Sequence, residues 1–115
     1  MTVVRRAAWI WFCLLSLVTV LFGVSDALGA ASPTDDQWLA STFGPGMGLF
    51  GLAIAATAFR RGERWAWLTS LVWPAFLAVH VALFGTWLPD GVFCVLSLVA
   101  LAVTAPAPSR PRVAV

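Results

Sequence analysis

AIAATAFRRGERWAWLTSLVW, Ala53 to Trp73, decides the fold. An uncharged apolar run ends at Phe59, three arginines and a glutamate follow within five residues, and a second uncharged run begins at Trp65. Extended in both directions, each run approaches the roughly 20 residues that an α-helix needs to cross a bilayer. A charged knot between two such runs reads as a loop on one membrane face, and the rest of the chain repeats the pattern.

Four apolar runs are readable: Ala7 to about Ser25, about Thr42 to Phe59, Trp65 to Phe84, and about Gly91 to Ala105. The chain is 115 residues long, 61% hydrophobic and 10% charged. A soluble domain is about a quarter charged, and one domain of this length could not hide so much apolar surface from water. The expected fold class is therefore all-α, an antiparallel four-helix transmembrane bundle over residues 1–105, followed by a proline-rich, disordered cytoplasmic tail over 106–115. The pI near 9.0 comes from seven arginines against five acids. These arginines form no continuous basic face, so nucleic acid is not an expected partner. Membrane lipids are. The use of arginine to the exclusion of lysine suggests a high-GC bacterial genome and hence a bacterial cytoplasmic membrane.

The loops alternate in charge. Arg5 and Arg6, then Arg60, Arg61 and Arg64, then Arg110 and Arg112 lie on one set of connections; Asp26, Asp35, Asp36 and Asp90 lie on the other. The positive-inside rule then places both termini in the cytoplasm. Arg60, Arg61 and Arg64 thus set topology and face anionic headgroups, while Gly62 and Glu63 shape the turn. The start of the chain also fits a signal peptide cleaved near Ala27 to Ala31, but its apolar run is long for one and three more spans follow. In SPTDDQ, Thr34 and Gln37 form a capping box; Pro45 either bends the second helix or opens a shorter one. Asp90 in LPDG reads as the N-cap of the fourth helix.

Hydrophobicity cannot tell the buried face of a helix in lipid, but small and polar residues can. At steps of three and four they form one seam per span. The first is Phe12, Ser16, Thr19, Gly23 and Asp26, and the second Ser41, Gly44, Gly48, Gly51, Ala55 and Ala58. Thr69, Trp73, Phe76, His80 and Phe84 make the third; Asp90, Cys94, Ser97, Leu101 and Thr104 make the fourth. Gly44, Gly48, Gly51 and Ala55 predict close helix packing, within the chain, in a homo-oligomer or against a membrane-protein partner. Trp9, Trp11, Trp65 and Trp67 near one boundary, with Trp38 and Trp87 near the other, fit an aromatic belt.

His80, the one histidine, stands in FLAVHVALFG, Phe76 to Gly85. With Asp26 and Asp90 it could converge at an outward-facing mouth, walled by Trp73, Phe76 and Phe84, whose ring faces suit an organic cation. Such a site could bind a ligand, relay protons or act as an acid–base pair. Equally, His80 is a tolerated polar residue near an interface. Cys13 is expected about 10 Å from the inner boundary and Cys94 about one helical turn from the outer one, too far apart for a disulfide. No metal-ligand cluster and no cofactor fingerprint is present, so no metal or cofactor is expected.

RRGERWAW, Arg60 to Trp67, resembles the cytoplasmic loop of uncharacterised small four-span bacterial integral membrane proteins, a resemblance that implies the architecture and no activity. Length and span count also resemble small multidrug resistance transporters. Those carry a glutamate in the middle of the first span, where this chain has LLSLVTV, Leu14 to Val20, so proton-coupled exchange lacks its central acid. Three functions remain: a non-enzymatic binding, accessory or helix-packing protein; a small-ligand binder or transporter using the outer mouth; and a membrane enzyme with a His80–aspartate pair acting on a lipid-like substrate.

Overall fold

The structure, a computed structural model, describes residues 1–29 and 34–108, without the side chains of 27 and 35–41. Arg110, Arg112 and the end of the tail, the side chains of Asp35, Asp36, Gln37, Trp38 and Ser41, and Ala30 and Ala31 of the possible cleavage site lie outside the described residues. The fold is all helix: α1 (Val3–Gly29), α2 (Asp35–Ile54) continuing through a π-helical turn (Ala55–Phe59), α3 (Arg64–Ser70), α4 (Val72–Phe84) and α5 (Val92–Val103). Three stretches are long and apolar enough to cross a membrane: Val3–Asp26, Thr42–Phe59 and Arg64–Phe84. The fourth, Trp87–Val103, is apolar but shorter.

Each boundary has a local cause. Thr2 caps α1, its Oγ1 accepting the Arg5 N–H at 3.3 Å. Of the two readings of Pro45, the continuous helix is correct: α2 starts at Asp35 and runs through it. The turn before α3 needs Gly62, whose φ of 77° is left-handed. Its N–H meets the Phe59 carbonyl at 2.9 Å and that of Glu63 meets Ala58 at 3.0 Å, closing the end of the second helix. Pro74 has no N–H to offer the Ser70 carbonyl, so the third span tightens at Leu71, where the N–H bonds Leu68 at 3.2 Å, and divides into α3 and α4. Gly85, at φ 65°, ends α4 with a bond from its N–H to Val81.

α1 and α2 make the most extensive helix pair. Gly23 lies against Pro45, Ser16 and Val20 against Gly48, and Phe12 against Phe59, so the two helices run in opposite directions. Contacts between α4 and α5 also descend on one helix as they ascend on the other: His80 with Asp90, Pro74 with Cys94. The core is Ala8, Phe12, Leu15, Ile54, Ala55, Ala58, Phe59, Ala66, Trp73, Leu77, Ala100 and Leu101. Ser16, Ser70 and Ser97 are buried with it. Much of the outer surface is apolar, with Leu14, Leu21, Phe22, Leu49, Phe50 and Leu83 among the exposed side chains.

Candidate functional site

The predicted outer mouth is only partly assembled. His80 and Asp90 meet, Nδ1 to Oδ2 at 3.6 Å, an electrostatic contact too long for a hydrogen bond. The imidazole lies between Phe76, with ring centroids 4.4 Å apart, and Phe84, at 5.3 Å and edge-on. Helical spacing dictates this stack, because positions four apart share one face. Both partners stay accessible: the side chains are 39% exposed for His80 and 20% for Asp90. Phe84 is more exposed still.

Asp90 does not cap α5, which has no side-chain cap. Its Oδ2 accepts from the Thr86 hydroxyl at 2.5 Å instead and turns toward His80. The reason is local: extended backbone at Leu88 kinks the chain, so Asp90 lies in an irregular turn, Trp87–Gly91, rather than at the cap of a regular helix. Asp26 is solvent-exposed and makes no ion pair or hydrogen bond among the described residues, so it does not join His80. Trp73 is absent from this mouth. It is buried at 3% exposure, its ring edge lodged against Gly51 and Ser16.

The glycine seam is filled by the chain itself. A Cβ on Gly48 would stand 2.6 Å from the Ser16 carbonyl oxygen and 2.6 Å from Val20 Cγ2; one on Gly51 would stand 2.6 Å from Trp73 Cζ2. Gly23 is likewise the notch that admits the Pro45 ring. Gly44 is looser, with the Gly23 Cα at 4.0 Å.

Most polar groups in the interior make intrachain bonds; the exception among the described residues is Trp9 Nε1, buried without a hydrogen-bond partner. Ser16 and Ser70 donate to the carbonyls four residues back, at 2.7 and 2.8 Å. Trp11 Nε1 donates to the buried Ser97 hydroxyl at 3.1 Å while its ring meets Phe93 edge-on, and Trp67 Nε1 donates to the Leu101 carbonyl at 2.9 Å. These two tryptophans therefore tie α1 and α3 to α5, and their indole N–H groups are taken by the chain itself. Trp65 and Trp87 do present exposed rings. Trp9 lies beneath the Arg60 guanidinium, 5.2 Å from the ring centroid.

At the arginine-bearing end, Arg61 pairs with Glu63 at 2.6 Å and Trp65 Nε1 donates to the other carboxylate oxygen. These two donors hold the Glu63 carboxyl below the usual carboxylate range. Arg64 is exposed. A cavity of about 360 Å³ opens beside this turn, lined by Thr2, Arg5, Phe59, Glu63, Trp67 and Thr104 among others. Among the described residues, no group of three or more His, Cys, Asp or Glu is placed to hold a metal ion. No protein-family model, no curated protein and no solved structure matches the chain.

Proposed function

We propose that the chain is a four-span integral protein of a bacterial cytoplasmic membrane, both termini cytoplasmic, that acts without catalysis as a small binding or accessory protein. The observation that carries the non-catalytic part is the use of the interior. Gly23, Gly48 and Gly51 are filled by Pro45, Ser16, Val20 and Trp73; Ser16, Ser70, Trp11 and Trp67 donate inside the chain, with Ser97 accepting from Trp11. Such an interior supports a packing role, and it leaves the exposed apolar faces to meet lipid or the helices of a membrane-protein partner or second copy. Three long apolar helices support insertion, and the shorter apolar stretch Trp87–Val103 makes the fourth crossing.

A second reading, a small-ligand binder at the outer end, is favoured by His80 lying 3.6 Å from Asp90 between two phenylalanine rings. Native mass spectrometry in mild detergent separates the two. Packing predicts that Gly48→Leu abolishes a monodisperse species whereas His80→Ala changes nothing. A small molecule that co-purifies with the wild type and is lost from His80→Ala would overturn the packing reading in favour of the ligand site.

A further inference from the structure

His80 and Asp90 face each other across a gap that neither closes. Asp90 stands where an N-cap of α5 would stand, yet its carboxylate leaves the helix end and turns to His80. It gains no hydrogen bond from the imidazole: Nδ1 and Oδ2 are 3.6 Å apart, beyond the roughly 2.7–3.2 Å of such a bond. Both side chains are nevertheless held in place. The Thr86 hydroxyl donates to Asp90 Oδ2 at 2.5 Å, and the Phe76 and Phe84 rings flank the imidazole at 4.4 and 5.3 Å. A ring nitrogen and a carboxylate oxygen are thus oriented toward one point.

The gap has the size of a metal chelate. A Zn–N bond of about 2.05 Å and a Zn–O bond of about 2.1 Å, opened at a tetrahedral angle, hold the two ligand atoms about 3.4 Å apart. A small side-chain rotation covers the remaining difference of about 0.2 Å. A ligating carboxylate is commonly fixed by a neighbour's hydrogen bond, as Thr86 fixes Asp90. The donor set selects the ion: an imidazole with one carboxylate suits Zn²⁺ and its first-row neighbours, whereas Mg²⁺ and Ca²⁺ take oxygen. An organic ligand finds less here. Neither the cavity beside Gly62 nor the smaller one at Gly51 and Trp73 is lined by His80 or Asp90, while a metal ion needs no cavity.

We propose that His80 and Asp90 chelate a first-row divalent transition metal ion, represented by Zn²⁺, where α4 ends and α5 begins. The described residues bring no third His, Cys, Asp or Glu into a group with the pair, so water completes the coordination. With positions held by water and both side chains accessible, the ion exchanges with its surroundings, and the site captures metal rather than locking it into the fold. This proposal rests on the ligand reading of the outer end and names the ligand.

The test is calorimetric titration of the full, untagged chain with Zn²⁺ in mild detergent. Cys13→Ala and Cys94→Ala form the parent background, so that no thiolate competes. One Zn²⁺ binds per chain, and Mg²⁺ at the same concentration does not displace it. His80→Ala and Asp90→Asn each weaken binding about 10-fold or more, because loss of an orienting partner alone costs about 10–100-fold. Thr86→Val, which removes such a partner, weakens it about 10-fold. Asp26→Asn, at an exposed acid apart from the pair, leaves it unchanged. Undiminished binding by either a monodisperse His80→Ala or a monodisperse Asp90→Asn overturns the site. An equal loss in Asp26→Asn overturns it too, since surface charge would then hold the ion. Absence of Zn²⁺ binding by the parent overturns the metal. In that case a small molecule that co-purifies with the wild type and is lost from His80→Ala preserves the ligand reading, and its absence removes that reading as well.

Discussion

The ring of Trp73 closes on the backbone of Gly51: a Cβ at that glycine would stand 2.6 Å from Cζ2 and 3.3 Å from Cε2. An α4 tryptophan thereby fills a notch on α2, with the Ser16 hydroxyl of α1 2.9 Å from the same point. Three spans meet at one missing side chain.

Gly51→Val tests that junction. The added branches force either the indole or α1 outward, and overpacking of this kind costs about 1–3 kcal/mol. Thermal unfolding in detergent should show the midpoint fall. Gly46→Ala, at a position where a Cβ meets nothing within 4 Å, serves as the matched control and should hold or raise it.

The Trp11–Ser97 bond ties α1 to α5. Ser97→Ala leaves a half-buried indole N–H without its acceptor, a loss of about 1–3 kcal/mol. Trp11→Phe in the Ser97→Ala background should recover part of it, since both partners are then apolar. A double-mutant cycle showing the two changes to be additive would mean that the bond carries no weight.

Glu63 gives a pH signature. Its carboxyl is depressed by the Trp65 and Arg61 donors, so the anionic folded turn is favoured above the ordinary carboxylate range and this contribution fades as pH falls through the folded value. Acidification below the usual glutamate value of about 4.3 should release the Trp65 ring, read as a change in tryptophan fluorescence. Trp65→Phe should abolish that change. Persistence of the signal in Trp65→Phe would assign it to another group.

Much of the architecture was legible because helices long and apolar enough to cross a membrane write themselves into composition. The long uncharged runs on either side of Arg60–Arg64 are the second and third long apolar helices, and the seam of small residues located the interior at Ser16, Gly48, Gly51 and Ala55. Small side chains reveal packing where hydrophobicity is silent. Other features lay beyond one-dimensional reading. Trp11 and Trp67 sit at a boundary in sequence, which looks the same whether the N–H meets a headgroup or a neighbouring helix; only the position of α5 decides it. Asp90 precedes a helix as a cap would, but the kink at extended Leu88 redirects it to Thr86 and His80. Asp26 shares a helical face with Gly23 and still projects beyond the packed region. The cavity at Arg5 was invisible, since it needs the starts and ends of four elements together.

Membrane insertion with four crossings is tested most directly by single-cysteine labelling in oriented vesicles, after Cys13→Ala and Cys94→Ala. Thr2→Cys, Arg61→Cys and Ala107→Cys should react with an impermeant maleimide only from the cytoplasmic side, and Leu88→Cys only from the other. Leu88→Cys and Ala107→Cys bracket most of the shortest of the four apolar stretches, Trp87–Val103. Labelling of both from one side would contradict four crossings and, with it, the placement of both termini in the cytoplasm.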